Sequence, residues 1–306
     1  MSHSEQAMLA QAFSSLSNRY HAGEYNQKPP TLTERYAYML ARFPATLAAV
    51  SAVLNTLIKR MPKLYPRSFV DIGAGPGTAS YAALELFDLE NLLLVERDPE
   101  WIALGKKLAT NKPSLNQASW MEHDLNNILN IAPSDIIMAS YSFQELSPQR
   151  QASLALELYH KTLKALVIIE PGTPRGFNNI RNLREVLLKE GAHIIAPCTH
   201  EAPCPLLGTN WCHFSARLKR HELHRRIKSA SMGYEDEKYS YLIVSPQSVP
   251  KLYARVLRPP QKRSGHIILD LCSEAQQKSE IIARSQKNLY REAKKLDWGS
   301  PWEKEN

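Results

Sequence analysis

Long apolar runs are missing from this chain. Nowhere do about eighteen apolar residues follow one another, so no membrane-spanning helix is expected. The N-terminus, MSHSEQAMLAQAF, has no basic start, apolar core or cleavage site of the secretory type. It holds Glu5 and no arginine before Arg19, which argues against a mitochondrial transit peptide. Internal repeats and low-complexity tracts are absent. Cysteine is scarce as well, 4 in 306 residues, and none precedes Cys198. In a reducing compartment so few thiols would not persist as disulfides, which excludes the disulfide-framework class.

Where those few cysteines sit is informative. Cys198, Cys204 and Cys212 share the segment APCTHEAPCPLLGTNWCHF, and Cys272 follows in GHIILDLC. Isolated cysteines are ordinarily small buried hydrophobes. Three crowded into a polar loop with Pro197, Pro203 and Pro205, plus one more, make a thiolate set for a soft-metal centre. Five residues separate the first two and seven the next two, looser than the tight pairs of structural zinc sites. That spacing favours a cluster of larger diameter while leaving zinc open, with His200 and His213 as substitute ligands.

The net charge of +8 is unevenly placed. Residues 1–214 hold 19 Lys/Arg against 19 Asp/Glu, whereas residues 215–306 hold 19 against 11. The runs ARLKRHELHRRIK and RVLRPPQKR supply Arg217, Lys219, Arg220, Arg225, Arg226, Lys228, Arg258, Lys262 and Arg263. A last helix is expected to add Lys278, Arg284, Lys287, Arg291, Lys294 and Lys295. One such run is usually a solvated helix face; three in succession point to a polyanion, with nucleic acid the expected partner.

Hydrophobic periodicity predicts helices over LTERYAYMLARF and PATLAAVSAVLNTLIKRM, an N-terminal helical cap across residues 1–66. SFVDIG, NLLLVE, SWMEHD, DIIMAS and ALVIIE then alternate with helical segments, the pattern of a parallel doubly wound α/β sheet. A helix at FNNIRNLREVLLKEG, a strand at HIIAP and the cysteine loop continue it. A helix over ARLKRHELHRRIKSA, a strand around YSYLIVS, one more strand at GHIILDLC and the basic helix complete the chain. The expected organisation is a ligand-binding domain over 67–250 and a basic extension over 251–306 that carries the fourth cysteine.

VDIGAGPGTAS follows the first sheet strand and places Gly73, Gly75 and Gly77 at its turn. A nicotinamide fingerprint would need its third glycine at position 78, which is Thr78. The compact turn instead suits S-adenosylmethionine (SAM), with Glu96 ending the second strand as acceptor for the ribose hydroxyls. Asp71 orients the loop or holds the methionine ammonium, Asp124 faces the adenine amine or caps its strand, and Ser140 and Tyr141 face the methyl acceptor. No nucleophile or general base is identifiable. Pro197-Cys198 lies too late in the sheet for cysteine-nucleophile chemistry, Glu170 is more readily structural, and in-line transfer by proximity remains.

EPGTPRGF, the APC…CPL…WCHF segment, GYEDEKYSYL, RVLRPPQKRSGHIILDLC and the closing W-G-x-x-W give the chain a family likeness. From about Tyr36 to Trp302 it resembles the methyltransferase-like proteins of the small (mitochondrial) ribosomal subunit, a family with bacterial members. The resemblance implies a class I methyltransferase-like (Rossmann-like) fold and a [4Fe–4S] cluster on Cys198, Cys204, Cys212 and Cys272. It also implies a role in small-subunit assembly on ribosomal RNA. Combined with the missing transit signal, the expectation is a bacterial, cytoplasmic protein, monomeric off the ribosome, that acts as a SAM-dependent RNA methyltransferase. A non-catalytic SAM-binding assembly factor is the alternative, and a small-molecule methyltransferase the weaker one.

Overall fold

The computed structural model describes residues 2–22, 29–206, 210–228, 230–273 and 276–303, so residues 207–209 of the cysteine loop lie outside it. Three helices open the chain: α1 (His3–Ala22), α2 (Leu32–Ala41) and α3 (Phe43–Arg60). Thr31 and Glu34 close a reciprocal capping box on α2, each side chain bonding the other's backbone amide at 3.3 and 2.7 Å. On α3, Val50, Val53, Leu54 and Leu57 recur at helical spacing and are fully buried against the sheet. Each contributes roughly 2 kcal/mol of burial, so α3 is held by packing more than by propensity. An aspartate at Leu54 would put a charge where no partner exists.

The alternation then runs β1 (Ser68–Ile72), α4 (Thr78–Leu86), β2 (Asn91–Glu96), α5 (Pro99–Ala109), the single turn α6 (Pro113–Asn116), β3 (Ser119–Glu122) and β4 (Ser134–Ser140). It continues with α7 (Pro148–His160), β5 (Thr162–Pro171), α8 (Pro174–Lys189), β6 (His193–Ala196), β7 (Phe214–Lys219), α9 (Glu222–Ile227) and β8 (Tyr234–Ser245). Among the described residues the strand order is β3-β2-β1-β4-β5-β8-β6, with β7 added on β8. Strands β1 to β5 pair parallel, while β8 runs antiparallel between β5 and β6. This is the class I methyltransferase-like doubly wound sheet, with one reversed strand the parallel expectation did not contain. The order reverses at β1, so the ligand crevice opens beyond the C-terminal ends of β1, β2 and β4.

Two further expectations fail. The helix predicted over 216–230 is a strand followed by a short helix: Phe214 and Ala216 point into the core while Arg217 and Lys219 face water. That alternation has period two, and pairing along β8 fixes it. The region after residue 250 is also more than one strand and a helix. β9 (Ala254–Val256), β10 (Gln261–Lys262), β11 (His266–Ser273), β12 (Gln276–Ala283) and β13 (Pro301–Trp302) form a second sheet, covered by α10 (Lys287–Lys295). Lys278 therefore lies on β12 and Arg284 in the following turn, not on the terminal helix.

Candidate functional site

Beyond the strand ends lies a cleft of about 1500 Å³. Its floor is the turn after β1, where Gly73 and Gly75 adopt φ of +67° and +53°. At Gly73 a Cβ would sit 2.5 Å from Ser142 Cβ, so a side chain is excluded by packing. At Gly75 a Cβ would meet no atom within 4 Å, so a side chain there would project into the empty cleft. Gly77, at φ +89°, begins α4 behind the turn and does not line the cleft.

Glu96 comes from the end of β2 and faces the turn. Its Oε2 accepts the Gly75 amide at 2.8 Å, and Oε1 accepts the Arg97 and Asp98 amides at 2.9 Å each. Burial raises its pKa against those three amides. Each carboxylate oxygen has two acceptor directions, which leaves capacity toward the cleft. Asp124 lines the opposite wall with its Oδ1 bonded to the Asn126 amide, which lowers its pKa. Ser140 lines the cleft too.

Asp71 does not. It is fully buried under the turn, and Oδ2 accepts from the Ser80 backbone amide at 3.0 Å and hydroxyl at 2.8 Å. Of its two proposed roles the geometry supports orienting the loop, since an ammonium in the cleft would be out of reach. Glu170 is likewise sealed from solvent and held by Asn179 at 3.0 Å, with burial pushing its pKa to about 7. It is not a cleft base.

The cleft contains charged residues that the sequence reading did not single out. Arg42, between α2 and α3, makes a two-pronged contact with Glu237 at 3.1 and 3.2 Å. The Tyr141 hydroxyl donates to Glu237 Oε1 at 3.2 Å, and Tyr141 itself has φ +60° immediately after β4. A non-glycine residue in that region costs about 1–2 kcal/mol, an expense usually found at functional positions. Glu145, paired with Arg97 at 3.1 Å, has its pKa raised to about 7 by burial, with Arg97 opposing. Arg35 reaches Asp98 at 2.7 Å and ties α2 to the strand-end loop. The signal in the sequence was faint: Arg35 and Arg42 interrupt helical apolar patterns, and Glu237 takes an inward position of β8 between exposed Asp236 and Lys238.

The four cysteines come together elsewhere. Cys198 follows β6, Cys204 and Cys212 lie in the long loop before β7, and Cys272 ends β11 of the second sheet. All four line one cavity of about 40 Å³. Among the described residues no three His, Cys, Asp or Glu side chains are arranged to hold a single ion; the thiols rim a space instead. Burial, then the charges of the neighbouring thiols, pushes Cys212 well above the usual thiol range and Cys272 to about 12. His200 Nε2 stands 3.5 Å from Cys272 Sγ, while His213 stacks on Trp211. A thiol set this costly to ionise suits a cationic core that would stabilise the thiolates.

The basic candidates do not form one face. Arg217 is clamped on Asp236 at 2.7 and 2.8 Å, and Arg220, Lys228 and His224 surround Glu235. Arg226 pairs with Glu222. Arg258 is structural, bonded to Asn210 Oδ1 and the Trp211 carbonyl at 2.7 and 2.9 Å beside the cysteine loop. Arg220 and Lys228 line the cleft. Lys219, Lys262 and Arg263 are exposed, Lys262 on β10 of the second sheet and Arg263 in the turn after it, and Arg225 is half-buried on α9.

A family described as mitochondrial small ribosomal subunit Rsm22 matches residues 33–303. The human ribosome assembly protein METTL17, mitochondrial, is 28% identical over 283 residues, 86% of this chain and 61% of that one. The Rsm22-cox11 tandem protein 2, mitochondrial, of Schizosaccharomyces pombe is 26% identical over 324 residues, 86% of this chain and 42% of that one. The chain thus spans about three fifths of the first relative's length and about two fifths of the second's. Among solved structures, magnesium protoporphyrin IX methyltransferase from Synechocystis PCC 6803 with bound SAM is similar over 79% of this chain and 97% of that one, at 12% identity and a TM-score of 0.47. The mitochondrial relatives overturn the cytoplasmic expectation, which had leaned on the first residues of the sequence; the comparison points to mitochondria. Because the match runs through both sheets and all four cysteines, this chain belongs to the Rsm22 family of the mitochondrial small ribosomal subunit.

Proposed function

We propose that this protein binds SAM in the cleft and acts on small-subunit ribosomal RNA during assembly of the particle. A [4Fe–4S] centre on Cys198, Cys204, Cys212 and Cys272 would hold the second sheet to the first. The observation that carries the SAM reading is the open space at Gly75 opposite Glu96, a cradle that any side chain would fill. Gly73 and Gly75 would admit the ligand's backbone edge, Glu96 would accept the ribose hydroxyls and Asp124 would receive the adenine amine. Bound SAM supplies an electrophilic methyl group. The acceptor would enter along Ser140 and Tyr141, where Arg42 and Glu237 fix the phenol and Glu145, with its pKa near 7, is suited to take up a proton. Exposed Lys219, Lys262 and Arg263, with Arg225, would meet phosphates. The organisation proposed is a cap over 1–66, the SAM-binding unit over 67–250 and the basic extension over 251–306.

The second reading, an assembly factor that binds SAM without transferring its methyl, is favoured by one feature. Every carboxylate facing the acceptor side is already committed to an arginine: Glu237 to Arg42 and Glu145 to Arg97. Calorimetry with SAM tests the shared claim, and a single stoichiometric site is expected. Mapping methylated small-subunit RNA nucleotides with wild-type and Gly75→Leu protein separates the two readings. A methyl mark lost in the variant assigns transfer, whereas unchanged marks with defective particles assign assembly alone.

A further inference from the structure

Among the described residues, two arginines beside the cysteine cavity lack the counter-charge that buried cations require. Arg184 on α8 and Arg255 on β9 are each 3% exposed, and both line the cavity. Among the described residues their hydrogen bonds go only to neutral carbonyls. Arg184 donates to His200 O at 3.0 Å and Ala202 O at 2.7 Å. Arg255 donates to Pro197 O at 2.9 Å and Gly299 O at 2.8 Å. Arg184 Nε and Arg255 Nη2 are buried with no partner at all. Elsewhere in the molecule a buried arginine meets a carboxylate, as Arg35 does with Asp98, and the half-buried Arg42 meets Glu237. A buried guanidinium without an anion is costly, because nothing offsets the lost hydration of its charge.

We infer that Arg184 and Arg255 are the built-in counter-ions of a dianionic thiolate-ligated centre, and that they set its reduction potential as well as holding the loop. The inference rests on the cluster reading above and adds residues outside the thiol set. Four thiolates around a doubly charged cationic iron–sulfur core sum to a net charge of about −2, which two guanidiniums match. Arg184 grips the loop at residues 200 and 202, between two of the thiols. Arg255 spans from Pro197, next to Cys198, to Gly299 near the chain's end, and its strand pairs with the one that carries Cys272, so it ties two ligand-bearing segments and the C-terminal segment together. Both are positioning residues: they act on the centre through its field and its loop, without ligating it. Reduction adds one negative charge, so a nearby cation favours the reduced form and its removal lowers the potential.

The test uses full-length protein prepared without oxygen, with Arg184→Gln, Arg255→Gln and the charge-keeping Arg184→Lys and Arg255→Lys. Iron, acid-labile sulfide and zinc are measured first, then the midpoint potential by optical and EPR titration. Each Gln variant should shift the reduced-to-oxidised ratio at fixed potential by about tenfold toward oxidised, or about 59 mV for one electron. Each Lys variant should stay near the wild type. Equal potentials in Gln and Lys variants would overturn the counter-ion role and leave only loop packing. If a Gln variant does not fold, the pair at the other arginine decides. Wild-type protein with neither iron nor sulfide would instead sink the cluster reading. Should it carry zinc, the same charge balance holds for a four-thiolate zinc site, and zinc affinity takes the place of potential. The Gln variants should then bind zinc about tenfold more weakly than the Lys variants, and equal affinities would again refute the counter-ion role.

Discussion

The cleft and the cysteine cavity handle buried charge in opposite ways. The cleft is large, open and lined by both signs, with Arg42 on Glu237, Arg97 on Glu145 and Arg35 on Asp98. The cavity is small and holds two buried arginines that, among the described residues, have no carboxylate beside them. A pocket that balances its own charge is stable when empty and suits a ligand that comes and goes. One that is unbalanced demands a resident anion. The difference separates an exchangeable ligand site from a structural one before any ligand is identified.

The largest effect is expected where the imbalance is greatest. Cys272→Ser removes the proposed ligand that lies farthest from the others in sequence and is carried on the second sheet. It should lower stability by on the order of 3 kcal/mol or more, and make residues 251–306 the first site of proteolytic nicking. Chelating the proposed metal from wild-type protein should do the same. Equal melting and cleavage with and without metal would erase the contrast between the two pockets.

Gly75→Leu probes the other side. The side chain has room beside the turn, and the positive φ costs about 1–2 kcal/mol, so melting should fall modestly. SAM affinity, read by calorimetry, should drop about 100-fold or more because the side chain occupies the ligand's space. Wild-type affinity would place the binding site elsewhere.

Asp71 is the exception to charge balance near the cleft, since one of its oxygens is buried without a partner. Burial raises its pKa from 3.8 to about 6. A carboxyl with a raised folded-state pKa opposes folding only when ionised. That cost is absent below about pH 4, grows between 4 and 6, and is complete above 6, at roughly 2–3 kcal/mol. Asp71→Asn should therefore flatten the fall in melting temperature over that window. An identical slope in both proteins would assign the titration to another group.

Glu237→Gln would recreate in the cleft the imbalance of the cavity, by leaving Arg42 without its anion. Arg42's side chain is 32% exposed, so solvent relieves much of the cost and a loss of roughly 1–2 kcal/mol is expected in chemical denaturation. Restoring neutrality with Arg42→Met in the same chain should recover part of it, whereas simple additivity would show the pair to be uncoupled.

Much of the first sheet was legible. The strands SFVDI, NLLLVE and SDIIMAS are continuous apolar runs ending in a turn or an acid, because both of their faces are covered by helices. The segment 214–228 misled because its basic residues recur at helical spacing, while Phe214 and Ala216 are held as a strand by β8. Of the basic residues, composition showed the number and not the partners: Glu235 and Asp236 lie in a strand that only the sheet brings alongside them. Arg184 left a readable trace, standing among Phe177, Ile180, Leu183 and Leu187 on the apolar face of α8. A cation in a core stripe announces a buried anion, but the trace does not say where that anion lies.

By itself the sequence determined the doubly wound order of elements, the glycine turn with its strand-end acid, and the crowding of three cysteines in one loop. These are local properties, fixed by periodicity, backbone freedom and short spacing. Only the tertiary structure decided that Asp71 faces away from the cleft, that Cys272 meets the other three thiols, and that Arg184 and Arg255 stand beside them with no carboxylate among the described residues. Such facts depend on which distant segments are packed together, and burial makes the resulting charge balance costly to get wrong.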